Sequence, residues 1–252
     1  MEVDSLLTRL VQATQQGFLA EFDACLASNP SLVLSRDADG VTLLHWAAIN
    51  NHAHLVHRIL HLASQQSGSP RLCDAVGGSV KATPLHWAAR NGALAASIAL
   101  VEVGTPDLEV TDIQGLTALH TAAIFDHHLL VAYLVAKGAD VDARDQETGR
   151  TPLLWACCSQ KKEGKDPVVG TLLKLGANVN LKDKVGKTAL HWALQAVCPP
   201  HTPHASWLPP APCISPLSLL ACPAIGFAVF VGEVGLVCGV AADPWNRFHV
   251  AG

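Results

Sequence analysis

The chain has 252 residues, half of them apolar and 15% charged, with a formal net charge of −4. That length holds one or two domains or a short repeat array, and so apolar a chain must bury a core over most of its length. The weak acidic balance gives no support for a nucleic-acid partner, and the Lys161, Lys162 and Lys165 cluster is broken by Glu163 and Asp166, as in a solvated loop.

The opening "MEVDSLLTRLVQATQQG" is polar and acidic where a secretory signal needs a basic start and an apolar run. A cytoplasmic protein with reduced thiols is therefore expected. None of the eight cysteines is paired at the short spacing of a zinc knuckle, and no glycine-rich phosphate loop occurs, so neither metal nor cofactor is expected. Cysteines before residue 160 read as small core residues. Residues 1–36 carry apolar side chains at helical spacing with Gly17 between two helical stretches, which predicts a degenerate N-terminal capping repeat.

From residue 37 a motif recurs: "TLLHWAAINN" at Thr42, "TPLHWAARNG" at Thr83, "TALHTAAIFD" at Thr117, "TPLLWACCSQ" at Thr151 and "TALHWALQAV" at Thr188. The threonines stand 41, 34, 34 and 37 residues apart. Second elements lie between them, among them "LVAYLVAKGADVDARD" and "VVGTLLKLGANVNLKD". A period near 33 with Thr-Pro-Leu-His and Gly-Ala-Asp-Val resembles the ankyrin repeat. The predicted fold is all-α: a solenoid of helix-turn-helix pairs with short β-turns, about five repeats over 37–196, the last incomplete. Thr caps the first helix of each pair, with Pro84 or Pro152 in its first turn. The Ala47-Ala48, Ala88-Ala89 and Ala122-Ala123 pairs let neighbours approach. Asn51, Gly92 and Asp126 suit a left-handed link, and Gly138 and Gly176 end second helices.

Two places depart from the period. "LASQQSGSPRLCDAVGG" makes the first spacing long and reads as a loop, and "SQKKEGKDP" adds residues inside the fourth repeat. After "HWALQA" the pattern stops. No Asp, Glu, Lys or Arg occurs from Gln195 to Gly232, and Pro-Pro at 199–200 forbids a following ankyrin helix. Residues 197–252 are expected to be an irregular, disordered, Pro/Cys-rich apolar tail, with membrane association possible only there. A membrane span is disfavoured by Pro223, by Glu233 and by an uncharged part from Leu217 shorter than the roughly 20 residues a span needs. The abrupt change of composition fits read-through or an alternative terminal exon.

"TLLHWAAINN", "GGSVKATPLHWAARNG", "VAYLVAKGADVD", "DPVVGTLLKLGANVN" and "DKVGKTALHWAL" together resemble the ankyrin domain of DHHC-type palmitoyltransferases, the huntingtin-interacting group. The resemblance covers roughly 37–196 and does not reach the tail. In that family the ankyrin domain recruits substrates through an unstructured motif of two aliphatic residues, two variable ones, then Gln-Pro. Matched by motif, the resemblance implies Asn50 and Trp87 as the peptide-binding residues. The residue types suit this, since an amide pairs with peptide backbone and an indole offers a flat face to proline. Equally, a tryptophan at this place is inter-repeat packing, as Trp46, Trp155 and Trp192 are candidates to be. The family's Asp-His-His-Cys centre has no counterpart, for Asp126-His127-His128 is followed by Leu129, and His127 falls where ankyrin repeats begin their second helix. A non-enzymatic, cytoplasmic recruitment module is expected, its full-length relatives sitting in Golgi-type membranes. Two alternatives stay open: the N-terminal piece of an active transferase, and a generic ankyrin adaptor with another partner.

Overall fold

The computed structural model describes residues 2–37, 39–66, 71–159 and 167–197, and two short segments at 228–231 and 236–239. Eleven helices are described. α1 (Glu2–Gln16) and α2 (Leu19–Ser28) form the first pair. The inner layer continues with α3 (Leu43–Ile49), α5 (Pro84–Asn91), α7 (Ala118–Ile124), α9 (Pro152–Cys158) and α11 (Ala189–Val197). The outer layer holds α4 (Ala53–Ser64), α6 (Leu94–Ala99), α8 (His128–Ala136) and α10 (Pro167–Lys174). Each inner helix packs on the next inner helix, and α1 closes the start of the row against α3. A tight turn leads into each inner helix, closed by a bond from Asp37 N to Val41 O, Gly77 N to Ala82 O, Asp112 N to Leu116 O, Asp145 N to Arg150 O or Asp183 N to Lys187 O.

The motif explains the helix starts. Thr42, Thr83 and Thr117 are extended N-caps, and each forms a reciprocal box with the histidine three residues on. His45 Nδ1 accepts from the Thr42 amide at 3.2 Å, and His86 and His120 repeat this with Thr83 and Thr117. With Nδ1 accepting, Nε2 carries the proton, and it donates forward to the next repeat: His45 to Ala82 O at 3.0 Å, His86 to Leu116 O at 2.9 Å, His120 to Arg150 O at 3.1 Å. One side chain thus caps its own helix and fastens the following turn. Burial holds all three imidazoles neutral, pushing His45 down to about 4 and lowering His86 and His120.

The predicted left-handed links are present at Asn51, Gly92 and Asp126, with φ of 58°, 65° and 65°. α8 begins one residue later than the sequence reading has it, His127 being its N-cap rather than its first turn. His127 Nε2 donates back to Arg90 O at 3.1 Å, as His52 does to Gln15 O. Each of these rings lies over the linking glycine of the preceding repeat. A Cβ on Gly92 would stand 2.5 Å from His127 Nδ1, and one on Gly17 2.7 Å from His52 Cε1. The second repeat lacks this histidine, having Ala93. There Asn51 reaches forward instead, its Oδ1 accepting from Ala96 N at 3.0 Å.

Two expectations are corrected. The long first spacing is not wholly loop: Leu72–Asp74 form a helical turn that buries Leu72 and Cys73, and burial raises the Cys73 thiol to about 11. Cys25 and Cys73 are core residues, but Cys157 and Cys158, at the end of α9, are only half-buried. Within the tail, Ala228–Val231 and Leu236–Gly239 pair as an antiparallel ladder, Val229 facing Cys238. The β-branched and aromatic residues Val229, Phe230, Val231 and Val237 favour such pairing. The remainder of the tail and the 160–166 insertion, with its lysine cluster, lie outside the described residues. Cys25, Cys73 and Cys158 are free thiols. Among the described residues no helix is long and apolar enough to cross a membrane, and no group of side chains has metal-ligand geometry.

Candidate peptide-binding site

The fifth position of the motif lines one strip of the inner layer: Trp46, Trp87, Thr121, Trp155 and Trp192. All four tryptophans are half-buried, yet their surroundings differ. Trp155 Nε1 donates to Asp145 Oδ2 at 2.7 Å, and Trp192 Nε1 to Asp183 Oδ2 at 3.0 Å. The Arg150 guanidinium lies between the two rings, 4.8 Å from the Trp155 centroid and 4.1 Å from that of Trp192, with Asp183 Oδ2 3.7 Å from its Nε. Burial opposes the charge on Asp145, but bonds from Thr148, Trp155 and Gly149 outweigh it and hold the carboxyl below its usual range. These two indoles are fastened at both edge and face, so packing is their role.

Trp87 is held differently. Its ring meets Trp46 edge-on at 5.4 Å between centroids, and His45 at 5.3 Å. The turn residue that supplies a carboxylate to Trp155 and Trp192 is Gly77 in this repeat. A side chain has no room there, because a Cβ would stand 2.9 Å from Val41 Cα and 3.0 Å from Gly40 O. Gly78 follows with φ +75°, and a Cβ on it would come 3.4 Å from Trp87 Cζ2. The Gly77-Gly78 turn therefore lies flat against one edge of the indole and leaves its N–H without the carboxylate found later in the row. Trp46, the neighbour, has a buried Nε1 with no partner, and the Asp37 carboxylate on its own turn accepts from the amides of Asp39 and Val41 through Oδ1.

Asn50 stands one turn beyond Trp46, as the exposed C-cap of α3. Its Nδ2 donates to Trp46 O at 3.0 Å, so half of the amide that the sequence reading left free closes the end of its own helix. The residue is otherwise exposed. An amide oriented by one local bond is a better acceptor for a peptide N–H than a freely rotating one. Asn50 and Trp87 therefore both adjoin Trp46, one through its carbonyl and one through its ring.

Asp126-His127-His128-Leu129 is accounted for by the same geometry. Asp126 supplies the left-handed link, His127 fastens α8 to the second repeat, and Leu129 is exposed beside them.

The family model for ankyrin repeats in three copies matches residues 10–112, 44–145 and 85–183. The chain belongs to the ankyrin-repeat family. Its array is 38% identical over 194 residues to a putative palmitoyltransferase, ZDHHC13 of Danio rerio, covering 77% of this chain and 28% of that protein. It is 43% identical over 188 residues to palmitoyltransferase Hip14 of Drosophila melanogaster, covering 74% and 28%. To palmitoyltransferase ZDHHC17 of Rattus norvegicus it is 42% identical over 190 residues, again covering 74% and 28%. The chain thus spans a little over a quarter of the length of these relatives. Among solved structures, the ankyrin-repeat domain of Bcl-3, described as a unique member of the IkappaB protein family, superposes with a TM-score of 0.62 at 29% identity, over 73% of this chain and 78% of that one. The ankyrin array is accordingly related to palmitoyltransferases, and its repeats are of a kind that mediates protein–protein contact.

Proposed function

We propose that the array recruits protein substrates by binding an unstructured aliphatic-x-x-Gln-Pro segment across α3 and α5, with Trp87 receiving the proline and Asn50 the adjoining backbone. The observation that carries this reading is the Gly77-Gly78 turn. It deprives Trp87 of the carboxylate that ties down Trp155 and Trp192, on a ring that meets Trp46, whose carbonyl the exposed Asn50 caps. An extended ligand gives up conformational freedom on binding, so affinity is modest. The chain itself performs no acyl transfer in this reading. The similarity to palmitoyltransferases over a little over a quarter of their length favours placing the array as the recruiting part of such an enzyme.

The test is a fluorescence-anisotropy titration of a labelled aliphatic-x-x-Gln-Pro peptide against the chain and its Trp87→Ala variant, with circular dichroism as the folding control. Saturable binding to the chain and its loss in the folded variant support recruitment. Absence of binding by folded chain leaves an ankyrin adaptor with a different partner.

A further inference from the structure

Thr121 interrupts the tryptophan row, and what fills the gap is charged. Phe125, one turn beyond Thr121 and the C-cap of α7, is 39% exposed. Across from it Arg90, one turn beyond Trp87 on α5, lays its guanidinium 5.5 Å from the centre of the Phe125 ring. Arg90 is exposed, and no ion pair engages it among the described residues, although the chain as a whole is acidic. Arg150, by contrast, is enclosed between two indoles with Asp183 beside it. The ring fixes the plane of the Arg90 guanidinium while leaving its N–H fork open. Residues three apart on a helix have side chains about 5–6 Å apart at Cβ, and one step of extended peptide covers roughly 3.3–3.6 Å. A side chain next to a proline on Trp87 is therefore within reach of Arg90.

Resting on the Gln-Pro reading of the Asn50 and Trp87 site, we infer that Arg90, braced on Phe125, is a second specificity determinant that selects ligands with a carboxylate side chain immediately after the proline. The guanidinium attracts Asp or Glu at that place and repels Lys or Arg. Because the pair is exposed, its effect is modest and sensitive to salt.

Three labelled peptides that differ only after the proline, with Asp, Asn or Lys there, are titrated by anisotropy against the full chain and its Arg90→Gln variant, at about 20 mM and about 500 mM salt. The expected order is Asp, then Asn, then Lys, with about threefold between neighbours at low salt, shrinking toward equality at high salt. In Arg90→Gln all three bind as the Asn peptide does to the unmodified chain. Equal affinities for the three peptides on the unmodified chain overturn this inference alone, as does a preference that survives in Arg90→Gln. Binding of none of the three by folded chain overturns the recruitment reading, and this inference with it.

Discussion

The three junctions among the first four motif repeats and the junction between the fourth and fifth solve one problem by different chemistry. In the former, a buried neutral imidazole donates forward to a backbone carbonyl, at His45, His86 and His120. In the latter the histidine is replaced by Leu154, fully apolar and buried, and the neighbours are held by Arg150 between Trp155 and Trp192 with Asp183 at its side. A neutral hydrogen bond in a dry site demands one protonation state and tolerates no vacancy. A cation between aromatic faces is indifferent to mild acid and draws on dispersion as well as charge. The same architecture thus has an acid-sensitive part and an acid-tolerant part.

The sharpest way to break this contrast is to delete one imidazole. His45→Ala leaves the Thr42 amide without its acceptor and removes one of the two bonds to Ala82 O, and is expected to cost about 3 kcal/mol, measured as a lower urea midpoint at unchanged slope. A loss below about 1 kcal/mol would mean the histidine row contributes little.

Acid should come next. A folded-state pKa depressed from 6.5 to about 4 at His45 means that the unfolded chain binds the proton first. Its contribution is whole above the unfolded value and drains as pH falls from about 6.5 toward 4, amounting to about 2 kcal/mol between pH 7 and pH 5. His86 and His120, shifted in the same direction, add to the loss. Hydrogen exchange at pH 5 should open α3, α5 and α7 before the contacts around Arg150 change.

Arg150→Ala should cost less, about 1–2 kcal/mol. Its effect should fall on α11, with exchange in α3 and α5 unaltered. Faster exchange at both ends would show that the array unfolds as one body rather than by junctions.

Asn50→Ala has the smallest expected effect on folding, below about 0.5 kcal/mol by thermal melting, since the residue is exposed and makes one local bond. If it serves the ligand, peptide affinity should nevertheless fall severalfold.

The regular part of this fold was legible because its causes are local. Thr followed three residues later by His declares a capped helix start, and Asn51, Gly92 and Asp126 declare their left-handed links by residue type alone. What escaped the sequence reading depends on two repeats at once. Four tryptophans stand at one motif position, and nothing within "HWA" separates Trp46 and Trp87 from Trp192. Their roles diverge because Gly77 stands where Asp145 and Asp183 stand later, and because Gly77 has no room for a side chain against Val41. Asn50 could be chosen by motif, but the return of its Nδ2 to Trp46 O needs the helix end in three dimensions. Arg90 and Phe125 are unremarked neighbours only after α5 and α7 pack.

The rings of His52 and His127 over Gly17 and Gly92 make a single trait out of two distant letters. Enlarging the glycine demands a smaller partner in the next repeat, and the chain contains the complementary solution, with Asn51 answered by Ala93. Neither position can change alone without a clash or a gap, so a substitution at one calls for a matched substitution at the other.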